Sequence, residues 1–230
     1  MQGETRMNLE LQEREWEEKY SVEDYFREGR SSLAELVEKI IKELIGKRIL
    51  ELGCGQGQDA VYFGKKDVIV TALDFSQKAV QSTRTRIKKF GLEKTVSVMK
   101  ADISSDISSD PALPKESFDI VFANLSLHYF DDKTTKRIFS DIYRLLVPGG
   151  YLFFEVKSTA DLDYGKGEEI EKDFFDFNGK RRHFFSEAYL LECTTQYSII
   201  CVQPKMYVSE GKLSSFLSAC VQKPYLTKLV

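Results

Sequence analysis

Residues 47–57 read Lys-Arg-Ile-Leu-Glu-Leu-Gly-Cys-Gly-Gln-Gly. A short apolar run meets an acid, Glu51, and then glycines at 53, 55 and 57. A second apolar run, Val68 to Leu73, ends in another acid, Asp74. The runs read as buried strands. The glycines read as a tight turn that brings backbone N–H groups close to a ligand. A carboxylate about twenty residues past such a loop can accept hydrogen bonds from both ribose hydroxyls. The other reading of Asp74 is a cap for the helix that Ser76 begins. Either way, the segment is a strand–loop–helix unit, and in the first reading it has the features a nucleoside requires.

The rest of the chain repeats the alternation. Strands are expected at 48–52, 68–73, 95–100, 118–123 and 151–156. Helices are expected near 10–19, at 57–64, from Ser76 to Phe90 and over 134–146. One more begins at a Ser32/Glu35 capping pair, carries Leu33, Leu36, Val37, Ile40, Ile41 and Leu44 on one face, and stops at Gly46. Strands alternating with helices imply parallel pairing with both faces covered, an α/β architecture. The stretch 158–182 reads as polar and acidic with scattered aromatics. After it come a helix over 186–193 and strands at 197–202 and 215–222.

A dinucleotide loop is spaced Gly-x-Gly-x-x-Gly. Here the third glycine follows one residue after the second, and position 58 is Gln58. With Glu51-Leu52-Gly53-Cys54-Gly55-Gln56-Gly57 and Leu73-Asp74-Phe75-Ser76, the chain resembles the class I S-adenosylmethionine-dependent methyltransferases. The resemblance covers residues 30–223, with its specific motifs at 47–57, 73–76, 100–103 and 118–130. It implies a doubly wound, seven-stranded, mostly parallel Rossmann-like sheet with an antiparallel C-terminal hairpin at its edge. It implies S-adenosyl-L-methionine as cofactor and an enzyme of the methyltransferase class. Residues 1–30 are then an N-terminal helical cap or extension, and 31–230 the S-adenosylmethionine-binding domain.

The resemblance also distributes roles. Gly53, Cys54, Gly55 and Gly57 face the methionine and ribose parts of the cofactor. Glu51 holds its ammonium or braces the loop. Asp74 takes the ribose and Phe75 covers the adenine. Asp102 accepts from the adenine amino group and the Ile103 N–H reaches a ring nitrogen, unless Asp102 only starts a loop. The Asn124 carbonyl offers a second partner to the ammonium. His128 is a candidate general base or a structural hydrogen bonder. Tyr20, Tyr25, His128, Tyr129 and Arg181 are candidate acceptor contacts. Arg181 and Arg182 either meet an anionic acceptor or are surface charges, and Trp16, Tyr20, Tyr25 and Phe26 either cover the pocket or pack a surface helix.

Composition narrows the partners. A net charge of −3 and a pI near 5.6 argue against a nucleic-acid footprint, which wants a basic face. No Asn-Pro-Pro-Tyr or Asp-Pro-Pro-Tyr tetrapeptide follows the fourth strand, which disfavours base amino groups and glutamine amides as targets. A small-molecule acceptor is the expectation. No apolar run has the length of a membrane span, the N-terminus is polar, and the expected location is the cytosol. Two histidines and no Cys-x-x-Cys pair give no metal site of usual spacing. Two other readings stand beside the leading one: a non-catalytic adenosylmethionine-binding module, and a nicotinamide-dependent oxidoreductase.

Overall fold

The apolar runs become strands β1 (Arg48–Leu52), β2 (Ile69–Asp74), β3 (Val96–Lys100), β4 (Phe118–Asn124) and β5 (Leu146–Lys157). After them come β6 (Glu168–Glu171), β7 (Phe174–Phe177), β8 (Lys180–His183), β9 (Ser198–Ser209) and β10 (Lys212–Gln222). The structure, a computed structural model, describes residues 13–21, 26, 28–209 and 212–225. Its helices are α1 (13–21), α2 (Ser32–Ile40), α3 (Gln58–Gly64), α4 (Gln77–Lys89), α5 (Asp132–Leu145) and α6 (Glu187–Cys193).

Seven strands form one sheet in the order β3-β2-β1-β4-β5-β10-β9. The first five are parallel, and β10 runs antiparallel to both β5 and β9. Alternate strand residues face opposite ways, and here both faces are apolar. Ile49, Ile120, Phe122 and Phe153 join one core with α2, α3 and α4. Leu50, Val121, Leu152 and Phe154 join another with α5 and α6. The chain therefore winds outward from β1 on one side and from β4 on the other. The gap between the two windings is the topological switch point, where ligands bind beyond the strand ends.

Capping chemistry fixes the helix starts. Ser76, Asp131 and Ser186 accept N–H groups of Ala79, Thr134 and Tyr189. For α2 the cap is Ser31, which accepts from Ala34, so the Ser32/Glu35 pair expected from sequence is displaced by one residue. That helix also ends at Ile40 rather than running to Gly46. Ile41 is already extended, and Gly46, at φ +73°, donates to the Asp67 carbonyl in the turn that starts β1.

The stretch 158–182 departs further from its sequence reading. It folds as a separate antiparallel sheet, β6-β7-β8. Asn178 and Gly179, both at positive φ, make the two-residue turn between β7 and β8. A parallel bridge between Ser158 and Phe185 ties this sheet to the end of β5. Strand β5 starts at Leu146 rather than Tyr151, because Leu146 already pairs with Phe118 before a register shift. Among the described residues no helix is long and apolar enough to cross a membrane.

Candidate active site

A cavity of about 800 Å³ opens beyond the C-terminal ends of the parallel strands. The glycine loop forms its floor. Gly53, Gly55 and Gly57 all have positive φ, which L side chains rarely adopt. Two of them are also pressed by the protein itself. A Cβ on Gly53 would lie 2.6 Å from Cβ of Ser126, whose hydroxyl donates to the Leu52 carbonyl at 2.6 Å across the switch point. A Cβ on Gly57 would lie 2.7 Å from Thr83. Gly53, Cys54 and Gly55 line the cavity, whereas Gly57 sits behind it as the N-cap of α3.

Acidic side chains gather around this floor. Asp74 is 4% exposed; its Oδ2 accepts the Gly55 N–H at 2.8 Å and its Oδ1 the Ser76 N–H at 2.9 Å. Burial raises its pKa to about 6, against those hydrogen bonds, which pull it down. Its turn to Ser76 is real, but the helix cap is Ser76 itself. Glu51 is 3% exposed, and its Oε2 is buried with no hydrogen-bond partner. Burial, with Asp59 and Asp74 nearby, pushes its carboxyl well above the usual range. Asp59, in the first turn of α3, accepts from the Ser31 N–H at 2.9 Å and faces the Asn124 amide at 3.5 Å. Burial raises it too. Three buried carboxylates with one unpaired oxygen favour a cation in the space between them.

The far rim comes from β2 and β3. Phe75, Asp102 and Ile103 line it. Asp102 closes its own loop, accepting the Ser104 N–H at 2.8 Å and hydroxyl at 2.6 Å. Arg137 of α5 pins the same loop from behind, donating to the carbonyls of Ser104 and Ser105 at 2.6 and 2.7 Å.

The opposite end has the reverse character. His128, Tyr129, Lys157, Arg182, Ser214 and Phe216 line it. His128 is 2% exposed, and its Nδ1 accepts the Lys157 N–H at 3.4 Å. That bond assigns the proton of the neutral ring to Nε2. Burial, then Arg182, Lys157 and His183, holds its pKa well below the usual histidine value. The ring is thus neutral, with Nε2–H as a donor and the Nδ1 lone pair already engaged. Tyr20 and Trp16 of α1 close the top. Trp16 stacks on Tyr20 at 5.3 Å and meets Tyr129 edge-on at 5.9 Å.

The structure therefore brings Glu51, Gly53, Cys54, Gly55, Asp74, Phe75, Asp102, Ile103, Asn124, Tyr20, His128 and Tyr129 to one cavity. Arg181 stays out: its Nε donates to Asp176 at 3.2 Å, and strand alternation turns Arg182 inward instead. Tyr25 lies outside the described residues. Sequence reasoning missed Asp59, Lys157, Ser214 and Phe216. Lys157 carried a usable signal, since a charge at the end of a buried strand is what singled out Glu51 and Asp74.

Known proteins share this fold. The family model described as a methyltransferase domain matches residues 49–150, from β1 into β5. The 27-O-demethylrifamycin SV methyltransferase of Amycolatopsis mediterranei is 30% identical over 166 residues, covering 66% of this chain and 58% of that protein. A tRNA N(3)-methylcytidine methyltransferase of Drosophila melanogaster is 30% identical over 158 residues, covering 65% of this chain and 48% of that protein. The chain thus spans about half the length of these curated relatives. Among solved structures, an S-adenosylmethionine-dependent methyltransferase from Methanosarcina mazei superimposes with a TM-score of 0.69 at 22% identity, over 83% of this chain and 97% of that one. Motif spacing, strand order, the position of the cavity and these likenesses agree: residues 49–150 match a methyltransferase domain, and the chain has the fold of the class I S-adenosylmethionine-dependent methyltransferases.

Proposed function

We propose that the chain binds S-adenosylmethionine at the switch point and transfers its methyl group to a small-molecule acceptor. The observation that carries this reading is the unpaired, buried Oε2 of Glu51 among Asp59 and Asp74. A ligand that places an ammonium there returns Glu51 to its ionised form and satisfies the oxygen. A nicotinamide dinucleotide would bring an anionic pyrophosphate against the same three acids, so the oxidoreductase alternative has no support in this site.

S-adenosylmethionine, when bound, supplies an electrophilic methyl on a sulfonium. The chain's own residues bind and align. Glu51 and the Asn124 backbone carbonyl take the ammonium. Asp74 keeps lone pairs free for the ribose hydroxyls after accepting from Gly55 and Ser76. Asp102 and Ile103 take the adenine edge and Phe75 its face. Such alignment can contribute on the order of 7–11 kcal/mol to a bimolecular displacement. His128 donates from Nε2 rather than accepting a proton. Helix α1 caps the cavity and excludes water.

A small-molecule acceptor is supported by the cavity's enclosure under α1, by the acidic balance of the chain and by the rifamycin-modifying relative. A cytosolic location is supported by four free thiols, as a reducing compartment keeps them. The test is calorimetric titration with S-adenosylmethionine, followed by incubation with pooled metabolites and with tRNA. Saturable binding and S-adenosylhomocysteine formation with a metabolite pool are the expected result. Turnover only with tRNA would overturn the acceptor class. Binding without turnover in any pool would make the chain a non-catalytic module.

A further inference from the structure

The two ends of the cavity carry opposite charge, and the end away from the glycine loop has a cation in need of a partner. Arg182 enters from β8 and lines the cavity. Its Nε is buried and makes no hydrogen bond, and among the described residues no carboxylate lies within ion-pair distance of it. Its guanidinium lies 5.8 Å from the ring centroid of Tyr129. The Tyr129 hydroxyl accepts a hydrogen bond from the guanidinium and its ring face attracts the charge, but neither supplies a counter-charge or an acceptor for the buried Nε.

The neighbouring charges are already matched. Lys157 Nζ is bound by Asp161 at 2.7 Å and Ser214 at 3.2 Å, and Asp161 is held by the Ser215 N–H at 2.7 Å. Glu13, on the cap, pairs with Lys100 at 2.8 Å. Lys19 lies over the Trp16 ring at 4.5 Å. His128 is neutral, with its proton on Nε2. The acceptor end thus offers one guanidinium with no ion-pair carboxylate among the described residues and an unsatisfied Nε, plus neutral donors, amid the flat faces of Trp16, Tyr129, Phe130 and Phe216. One guanidinium fork suits a monoanionic carboxylate. A phosphate dianion would ask for a second free cation.

We propose that the acceptor is a planar small molecule bearing a carboxylate, which Arg182 binds while the aromatic side chains sandwich its ring. This rests on the methyltransferase reading, because it assigns the acidic end of the cavity to the methyl donor.

The chain's single tryptophan, Trp16, lines the cavity and reports occupancy by its fluorescence. The full chain, saturated with S-adenosylhomocysteine, is titrated with benzoate, 4-hydroxybenzoate, nicotinate and indole-3-carboxylate, and with the matched primary amides. At least one acid is expected to quench with a Kd about tenfold or more below that of its amide. Arg182→Gln should erase that preference and Arg182→Lys should keep part of it. Equal affinity for acid and amide, no quenching by any pair, or an undiminished preference in Arg182→Gln overturns the proposal. Titration of each variant with S-adenosylhomocysteine shows whether it is folded. If the wild type fails to bind that nucleoside, the parent reading falls; if it binds and no acid is preferred, only this inference falls.

Discussion

The carboxylate of Asp74, the last residue of β2, accepts the backbone N–H of Gly55 at 2.8 Å. One side chain thereby joins the loop after β1 to the loop after β2, and its other oxygen holds the Ser76 N–H that starts α4. Asp74→Ala leaves both donors unsatisfied. Thermal or urea denaturation should show a loss of about 1–3 kcal/mol. Calorimetry should show S-adenosylmethionine affinity lower by about 10- to 100-fold, the worth of one or two charged hydrogen bonds. Unchanged affinity would remove Asp74 from the ribose.

Binding should also follow the protonation of Asp74. Its folded-state pKa is raised from 3.8 to about 6. If the ionised carboxylate is what holds the ribose, affinity is constant above that value and falls below it. About a tenfold loss is expected between pH 7 and pH 5. The stability of the free protein runs the other way. Because the folded state keeps this proton up to about 6 and the unfolded state releases it near 3.8, the Asp74 contribution declines as pH rises through that window. Urea titrations of wild type and Asp74→Asn across pH 4–7 would expose the difference in slope.

Two glycines at positive φ make a matched pair for testing close packing. Gly91, at φ +67°, has nothing within 4 Å of an added Cβ. Gly91→Ala should cost only the left-handed backbone penalty, roughly 1–2 kcal/mol. Gly57, at φ +83°, meets the fully buried Thr83 at 2.7–3.1 Å. Gly57→Ala adds overpacking worth about 1–3 kcal/mol more. Its melting temperature should fall clearly further than that of Gly91→Ala, and equal shifts would refute the contact.

Arg137 acts on the site without touching the cavity. It bonds Asp141 at 2.6 Å and the carbonyls of Ser104 and Ser105, just past Asp102 and Ile103. Asp141 has a side chain 2% exposed, so truncating Arg137 takes the nearer of two cations from a buried acid, leaving it Arg144 at 3.6 Å and the Ser108 hydroxyl at 3.1 Å, as well as freeing the loop. Arg137→Ala should lose about 2 kcal/mol of stability. Adenosine binding should weaken by about three- to tenfold, measured by calorimetry at a temperature where the variant stays folded.

Strand runs such as Ile49–Leu52 and Phe118–Ala123 were legible because burial on both faces leaves an unbroken apolar signature. The glycine loop was legible because its backbone needs are local. Loops whose partners are distant were harder. Nothing near Asp59 announces that it meets Ser31 and Asn124, and nothing near Ser214 announces Lys157. The sheet β6-β7-β8 did carry a local signal in Asn178-Gly179, masked by the charges of 166–172. The choice of Arg182 over Arg181 required the register of β8, because neighbouring residues on a strand point to opposite sides.

The cap α1 is fastened to the opposite shore by charge. Glu13 grips Lys100, and Glu17 takes the N–H groups of Gln77 and Lys78 at the start of α4. Ionic fastenings on a surface loosen with ionic strength, whereas the Trp16 stacking does not. Looser fastening should open the way into the cavity as ionic strength rises: stopped-flow association of S-adenosylmethionine should quicken as sodium chloride is raised, and a rate that is constant or falls would show that α1 is not what limits entry.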